Sequence, residues 1–276
     1  MALTKVLITI KTYPSLSEKY DELVCTAGFL EDGSMIRIYP VPFRKLDYEK
    51  QYKKYQWIEI DLEKRSSDFR PESFKPIDID KAFKVGEFVD TSQWERRRNF
   101  VLSTVYTDMS ELIRKAKDPN DRTSLAVLKP KKIVDFIWKL TDREWNRTTL
   151  QKIKSRALQG DLFGNKGENP FEVVNKLPYK FSYVFITDDN KERTLMIEDW
   201  ELGALYWKCL DLAKGNELQA CQKVKQKYFD SMLKRDLFFY LGTTLEHHCV
   251  APNPFIIIGL FYPPKIQQLS LGFTWD

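Results

Sequence analysis

The densest group of acidic side chains lies at residues 198–201, where the sequence Glu-Asp-Trp-Glu places three carboxylates within four positions. Carboxylates grouped in this way can bind a divalent metal ion or act as general acid and base. A metal-dependent nuclease or a modified-base hydrolase would need further carboxylates from a distant segment, and Asp68 and Glu72 are the candidates. The alternative is structural: at a helix N-terminus, Asp199 would cap backbone N–H groups and Glu201 would interact with the helix dipole.

The segment His247-His248-Cys249 contains both histidines of the chain beside one of its four cysteines, which raises the question of zinc. Adjacent residues rarely supply a tetrahedral ligand set, and the chain has neither a Cys-x-x-Cys nor a His-Glu-x-x-His pattern. No glycine-rich phosphate-binding loop follows a strand pattern. We therefore expect no metal site and no cofactor.

A β-hairpin is predicted over residues 24–44, where two β-rich runs flank an Asp-Gly turn signal. On its second strand, isoleucines alternate with Arg37 and Tyr39, which are therefore expected to share an accessible face. Arg44 follows the strand. A cation and an aromatic ring on one strand face are suited to nucleic acid, because bases stack on rings while cations contact phosphates.

Basic residues are concentrated in the middle of the chain. The net charge is +5, but residues 91–160 contain 16 Lys and Arg against 8 Asp and Glu, so the rest of the chain has a net charge of −3. Such asymmetry favours a surface that faces a polyanion, although a solvated basic face remains the alternative. The predicted phosphate contacts here are Arg96, Arg97, Arg98, Lys152, Lys154 and Arg156.

Hydrophobic periodicity predicts the elements that position these residues. Short runs of Val, Ile and aromatic residues up to about residue 89 predict a barrel or sandwich of short strands. Helices are predicted at 109–117 and 148–159. From residue 179 the pattern predicts two strands, two helices and two further strands, with Asp199 capping the first of these helices.

These elements predict an α+β fold with two small β-barrel domains, each OB-like or PUA-like. The N-terminal barrel is expected at 1–90 and an α+β barrel-like domain at 170–276, joined by a basic, partly helical linker region at 91–169.

Composition favours a soluble cytoplasmic protein. No apolar run approaches the roughly 20 residues that span a bilayer, and the N-terminus is too short and too strand-like for a signal peptide. The four cysteines are far apart in sequence, without the clustering of a disulfide framework, which favours a reducing compartment.

Several motifs together resemble an uncharacterised bacterial family, which in turn is similar to dual OB-fold domain proteins found near prokaryotic defence genes. The matching blocks are the hairpin 24–44, Lys54-Tyr55-Gln56-Trp57-Ile58, 68–73, 181–185, 198–201, 236–243 and 255–264. The resemblance implies two β-barrels that bind nucleic acid across a strand face and its loops.

The sequence thus favours a nucleic-acid-binding protein, a recognition component of a bacterial defence or DNA-modification system. Its expected partners are DNA or RNA and other defence-system proteins, with no membrane. One alternative is an enzyme acting on nucleic acid through Asp68, Glu72, Asp199 and Glu201. Another is a protein-interaction subunit that docks through the basic middle region.

Overall fold

The computed structural model describes residues 3–78, 84–162 and 173–266. The strands of its N-terminal part are β1 (Thr4–Lys11), β2 (Ser15–Ser17), β3 (Asp21–Phe29), β4 (Met35–Val41), β5 (Gln56–Ile60), β6 (Leu62–Lys64), β7 (Ser73–Pro76) and β8 (Lys84–Phe88). They form a single sheet in the order β6-β7-β4-β3-β1-β5-β8, with β2 paired to β3. The sheet curls into a half-barrel.

The predicted hairpin forms the middle of this sheet as β3 and β4, and two glycines explain its shape. Gly33 in the turn has φ of +83°, a conformation that glycine adopts without a Cβ penalty. Gly28 lies so close to β1 that a Cβ atom there would stand 2.0 Å from the carbonyl oxygen of Leu7. Only glycine therefore permits the observed pairing of β3 with β1.

The region predicted as a helical linker at 91–169 is different in the structure. It contains α1 (Trp94–Val101), α2 (Met109–Lys117), β9 (Leu125–Leu128), β10 (Lys132–Leu140) and α3 (Arg147–Leu162). Strand β9 pairs with β13 (Phe238–Thr243) and β10 pairs with β11 (Tyr179–Ile186), so both strands complete sheets of the C-terminal part. Their partners come much later in the chain, and local periodicity could not reveal the pairing.

The C-terminal part follows the predicted order of two strands, two helices and two strands. These elements are β11 (Tyr179–Ile186), β12 (Glu192–Met196), α4 (Trp200–Leu212), α5 (Glu217–Lys225), β13 (Phe238–Thr243) and β14 (Phe255–Phe261). The strands form two sheets, β10-β11-β12 and β14-β13-β9. The α+β class is thus confirmed. Within the described residues, no helix combines the length and the apolar character that a membrane span requires.

The two parts of the chain share a hydrophobic core. Leu7 and Phe29 of the N-terminal sheet pack in one buried cluster with Tyr240, Ile258 and Phe261 of β13 and β14. The hydroxyl groups of Tyr55 and Tyr240 are 3.2 Å apart within the same cluster. Two further clusters are made mainly of residues of the C-terminal part and of the N-terminal part, respectively. The two parts are therefore packed against each other through apolar faces.

Candidate functional site

Asp199 is the N-cap of α4, as the structural interpretation of the acidic segment expects. One carboxylate oxygen accepts a hydrogen bond of 2.8 Å from the Glu201 N–H, and the other lies 3.3 Å from Nζ of Lys54. Glu201 also contacts this Nζ, at 3.0 Å. Burial by itself would lower the pKa of Lys54, but the two carboxylates raise it above its ordinary value. The three groups join the N-terminal sheet to the start of α4.

Asp68 and Glu72 also have protein partners. Asp68 accepts hydrogen bonds of 2.8 and 2.6 Å from Arg70, and Glu72 accepts from the N–H and hydroxyl of Ser124 at 3.0 and 2.7 Å. Burial opposes ionisation of Asp68, but Arg70 lowers its pKa to about 2, unlike that of a general base working near neutral pH. The described ranges contain no group of three side chains arranged to hold a metal ion.

Four of the predicted phosphate contacts form ion pairs with carboxylates. The pairs are Arg44 with Glu22 at 2.7 Å, Arg96 with Glu87 at 2.7 Å, Arg98 with Asp236 at 3.3 Å and Lys152 with Glu18 at 2.8 Å. A paired guanidinium or ammonium attracts phosphate less than an unpaired one, because the carboxylate cancels its charge at short range. Lys154 is exposed on α3, while the side chain of Arg156 lies outside the described part of the chain.

Arg97 is buried and its side chain lies in the wall of an aromatic pocket. Only 4% of its surface is exposed, its Nε donates to the Val89 carbonyl at 2.8 Å, and its guanidinium centre lies 3.8 Å from the ring centroid of Tyr55. It therefore cannot contact phosphate as predicted from the sequence. We define the aromatic pocket by Tyr55, Phe88, Trp94 and Tyr262, which line a depression of about 320 Å³ together with Lys53, Lys54 and Glu201. Phe88 is 43% exposed there, so its ring is accessible.

A second depression, of about 660 Å³, adjoins the aromatic pocket at Tyr262 and is lined by basic residues. We call it the basic groove and define it by Lys227, Lys234, Arg235 and Lys265, all of them exposed. No carboxylate of the described residues lines the groove or forms an ion pair with these four side chains. The groove thus carries four positive charges that form no ion pair with a described carboxylate, with Asp230 on the same turn as Lys227.

Helical spacing and a strand exit bring these cations together. Lys227 and Lys234 lie seven positions apart on the π-helical turn Gln226–Ser231 and the 3₁₀ turn Met232–Lys234 that follow α5, so they share one face. Lys265 follows β14 in the chain and lines the same groove. This group is not among the residues predicted from the sequence, although residues 222–235 contain five basic residues and one acidic residue, a local excess that could have indicated it.

Arg37 and Tyr39 line a cavity of about 380 Å³ that lies between the hairpin and strands β13 and β14 and opens to solvent; we call it the interior cavity. The prediction that Arg37 is accessible is wrong, because the side chain is 3% exposed. It donates hydrogen bonds to the hydroxyls of Ser73 and Ser124 at 3.0 and 2.8 Å, and to the Thr243 carbonyl at 3.3 Å. Tyr39 is half-buried, with the Arg65 guanidinium 5.1 Å from its ring centroid.

The His247-His248-Cys249 segment is a loop packed against the core. His248 is buried, with Nδ1 2.8 Å from the Thr243 hydroxyl and its ring against Phe69. Burial lowers the pKa of His248. The hydrogen bond and the ring contact account for its position.

Sequence comparison divides the chain close to the junction between α1 and α2. No curated protein and no solved structure matches the chain. Residues 2–103 match a family described as a domain of unknown function (DUF8758). Residues 105–274, more than half of the chain, match a second family, and the chain therefore belongs to the family described as a domain of unknown function (DUF8757).

Proposed function

We propose that the protein binds single-stranded nucleic acid along the basic groove and the aromatic pocket. The observation that carries this proposal is that the two depressions share Tyr262 in their walls, which brings four exposed cations without ion-pair partners among the described residues next to a set of aromatic rings. The groove cations would contact phosphates, and the exposed ring of Phe88 would stack on a base.

The physical basis is the combination of charge and stacking. Phosphates release counterions when cations neutralise them, and this makes binding depend on salt. Bases of any sequence stack on aromatic rings, with about 1–3 kcal/mol for each stacked base. Arg97 and Lys54 support the pocket from within, since Arg97 packs on Tyr55 and Lys54 is tied to Asp199 and Glu201.

The OB-like or PUA-like identity of the barrels belongs to the same proposal, as does a role in recognition for a bacterial defence or DNA-modification system. The curled sheet of short strands supports a barrel-type fold. The resemblance of the hairpin and of the later blocks to dual OB-fold proteins supports the defence role.

The proposal is tested by fluorescence anisotropy with a labelled 20-nucleotide single strand, as DNA and as RNA, over a salt series. Neutralisation of four phosphates predicts a slope of log K against log salt of about −3 for a single strand. The test variant replaces Lys227, Lys234, Arg235 and Lys265 by Gln. The matched control carries Lys117→Gln, Lys139→Gln, Lys191→Gln and Lys208→Gln, which are exposed lysines elsewhere and remove the same charge.

We expect the groove variant to bind at least tenfold more weakly and the control within about threefold of the wild type, because only the groove concentrates its charges at one site. Absence of binding by the wild type at 50 mM salt would overturn the proposal. Equal weakening in both variants would also overturn it, since that result would indicate general charge attraction.

A further inference from the structure

The interior cavity is a candidate ligand site separate from the basic groove. Its volume of about 380 Å³ lies in the range of small-molecule pockets. The N-terminal sheet contributes Tyr39, Arg65 and Cys25 to its walls, and the C-terminal part contributes Glu198, Ile256 and Ile258. Most of the lining residues are polar or charged, and Ile256 and Ile258 provide apolar contact, so the cavity suits a ligand with several polar atoms.

The arginines of the cavity differ in their free hydrogen-bonding capacity. Arg37 donates to Ser73, Ser124 and Thr243, and Arg70 donates to Asp68 and Thr243, so both are largely occupied by the protein.

Arg65 is available, because its nearest carboxylate oxygen, on Asp68, is 3.9 Å away, too far for a hydrogen bond. Its side chain is 24% exposed, and its guanidinium lies over the ring of Tyr39. The Arg65 N–H groups are therefore available to a ligand that lies beside Tyr39.

Glu198 supplies an acceptor to the same cavity. Its backbone N–H donates to the Ile257 carbonyl at 2.8 Å, and the next residue is the N-cap of α4, so its position is fixed. The carboxylate is exposed within the cavity and forms no ion pair with any described residue. The surrounding protein raises the pKa of this carboxyl by desolvation, and Lys180 opposes the effect.

A neighbouring cavity of about 370 Å³ shares Tyr13, Ser15 and Glu198 with the first. Its wall includes Lys180, which is exposed, and Lys176. The Lys176 ammonium donates to the Glu144 carbonyl at 3.1 Å and lies 3.9 Å from a carboxylate oxygen of Asp142. A ligand that passes Glu198 would therefore reach cations on the other side.

We propose that the two adjoining cavities bind one nucleotide, with its base in the interior cavity and its phosphate directed towards Lys176 and Lys180. The base packs beside the Tyr39 ring, Arg65 donates to its acceptor atoms, and the Glu198 carboxylate accepts from its N–H groups. Guanine satisfies both partners, since O6 and N7 accept from a guanidinium and its N1–H and N2 amino groups donate to a carboxylate. We expect guanine nucleotides to bind best.

The experiment is calorimetric titration of the whole protein with GMP, AMP, CMP and UMP. Tyr39→Leu should weaken binding of every nucleotide at least tenfold, while Tyr39→Phe should keep wild-type affinity because it keeps the ring. Glu198→Gln should weaken GMP binding about 5- to 150-fold, the range of one bidentate contact, and change AMP binding little. Melting temperatures of the variants check that the fold is retained.

The nucleotide could be free or part of a strand, and a second arm separates these sources. Competition between GMP and a single-stranded oligonucleotide containing one guanosine indicates a pocket that accepts a residue of the strand, whereas GMP binding without competition indicates a free nucleotide.

The inference does not rest on the basic groove: the variant with four groove substitutions should bind GMP as the wild type does, even if it loses the oligonucleotide. It is overturned if no mononucleotide binds at millimolar concentration. It is also overturned if Tyr39→Leu and Glu198→Gln both leave GMP binding unchanged.

Discussion

The ammonium group of Lys54 lies 3.3 Å from the carboxylate of Asp199, although 145 positions separate the two residues in sequence. Both side chains are buried, with 8% and 1% of their surfaces exposed. Asp199 therefore has two roles: it caps α4, and its negative charge compensates the positive charge of Lys54 in the N-terminal part. Loss of either partner would leave a buried charge with fewer neighbours, which is more costly than loss of a surface ion pair.

The first prediction concerns this pair. Asp199→Asn keeps a capping oxygen but removes the charge, and we expect a loss of about 2 kcal/mol in the free energy of unfolding, since Glu201 still compensates Lys54 in part. Urea denaturation measures it. Glu201→Gln, at a half-exposed position, should cost less than about 1 kcal/mol. A double-mutant cycle with Lys54→Met should show coupling; simple additivity of the two losses would contradict a direct interaction.

The second prediction is a pH dependence set by Lys11. Burial, and then repulsion by Lys54, lower the pKa of Lys11 from its ordinary value of 10.5 to about 8. Between these values the unfolded chain binds more protons than the folded protein, so this lysine makes stability rise with pH from about 8 to 10.5. Lys11→Met removes that contribution. Urea denaturation at pH 7, 8.5 and 10 should show the wild type gaining stability relative to the variant, whereas the exposed control Lys208→Met should follow the wild type. A constant difference between wild type and Lys11→Met would refute the expectation.

The third prediction compares two glycines. Gly28→Ala places a Cβ atom against the backbone of Leu7, which a strand in the middle of a sheet cannot move, and we expect a loss of more than about 4 kcal/mol or failure to fold. Gly215→Ala faces open space and meets only the strain of φ +85°, which corresponds to about 1 kcal/mol. Thermal melting of both variants provides the measurement. Similar melting temperatures would show that β3 and β1 can separate locally.

The fourth prediction separates paired from unpaired cations in nucleic-acid binding. Lys234→Gln should reduce the salt slope by about 0.7, the value for one phosphate contact on a single strand. Arg96→Gln and Lys152→Gln should leave the slope unchanged, since Glu87 and Glu18 already compensate these residues. Anisotropy titrations of each variant at four salt concentrations measure its salt slope. An equal reduction in all three variants would place the strand on the central region that the sequence favoured.

The fifth prediction concerns Arg37. Its guanidinium donates to side chains and carbonyls from three segments, and Arg37→Met leaves these acceptors buried without a donor, so we expect a loss of about 3 kcal/mol. Arg37→Lys should restore little of it, because one ammonium nitrogen cannot replace two guanidinium nitrogens. Chemical denaturation compares the two variants. Wild-type stability of Arg37→Lys would mean that only the charge is needed.

Local patterns were sufficient for the hairpin, for the order of the C-terminal elements and for the Asp199 cap, because each depends on residues close in sequence. They were insufficient for Arg37, whose acceptors at Ser124 and Thr243 are 87 and 206 positions away. They also could not show that Arg96 is paired or that Lys265 joins Lys234. Charge counted along a chain indicates how many cations a region contains, and only the fold determines which of them have a carboxylate beside them.

The core shared by Leu7, Phe29, Tyr240 and Phe261 affects how the two family regions can evolve. The border between the two family regions, at residue 104, is a border in sequence and crosses a single packed interior. A chimaera that joins one region to the matching region of a distant relative would bring together two apolar faces whose substitutions have not been matched to each other. The two regions are therefore expected to diverge as one lineage, with substitutions around Tyr55 accompanied by substitutions around Tyr240.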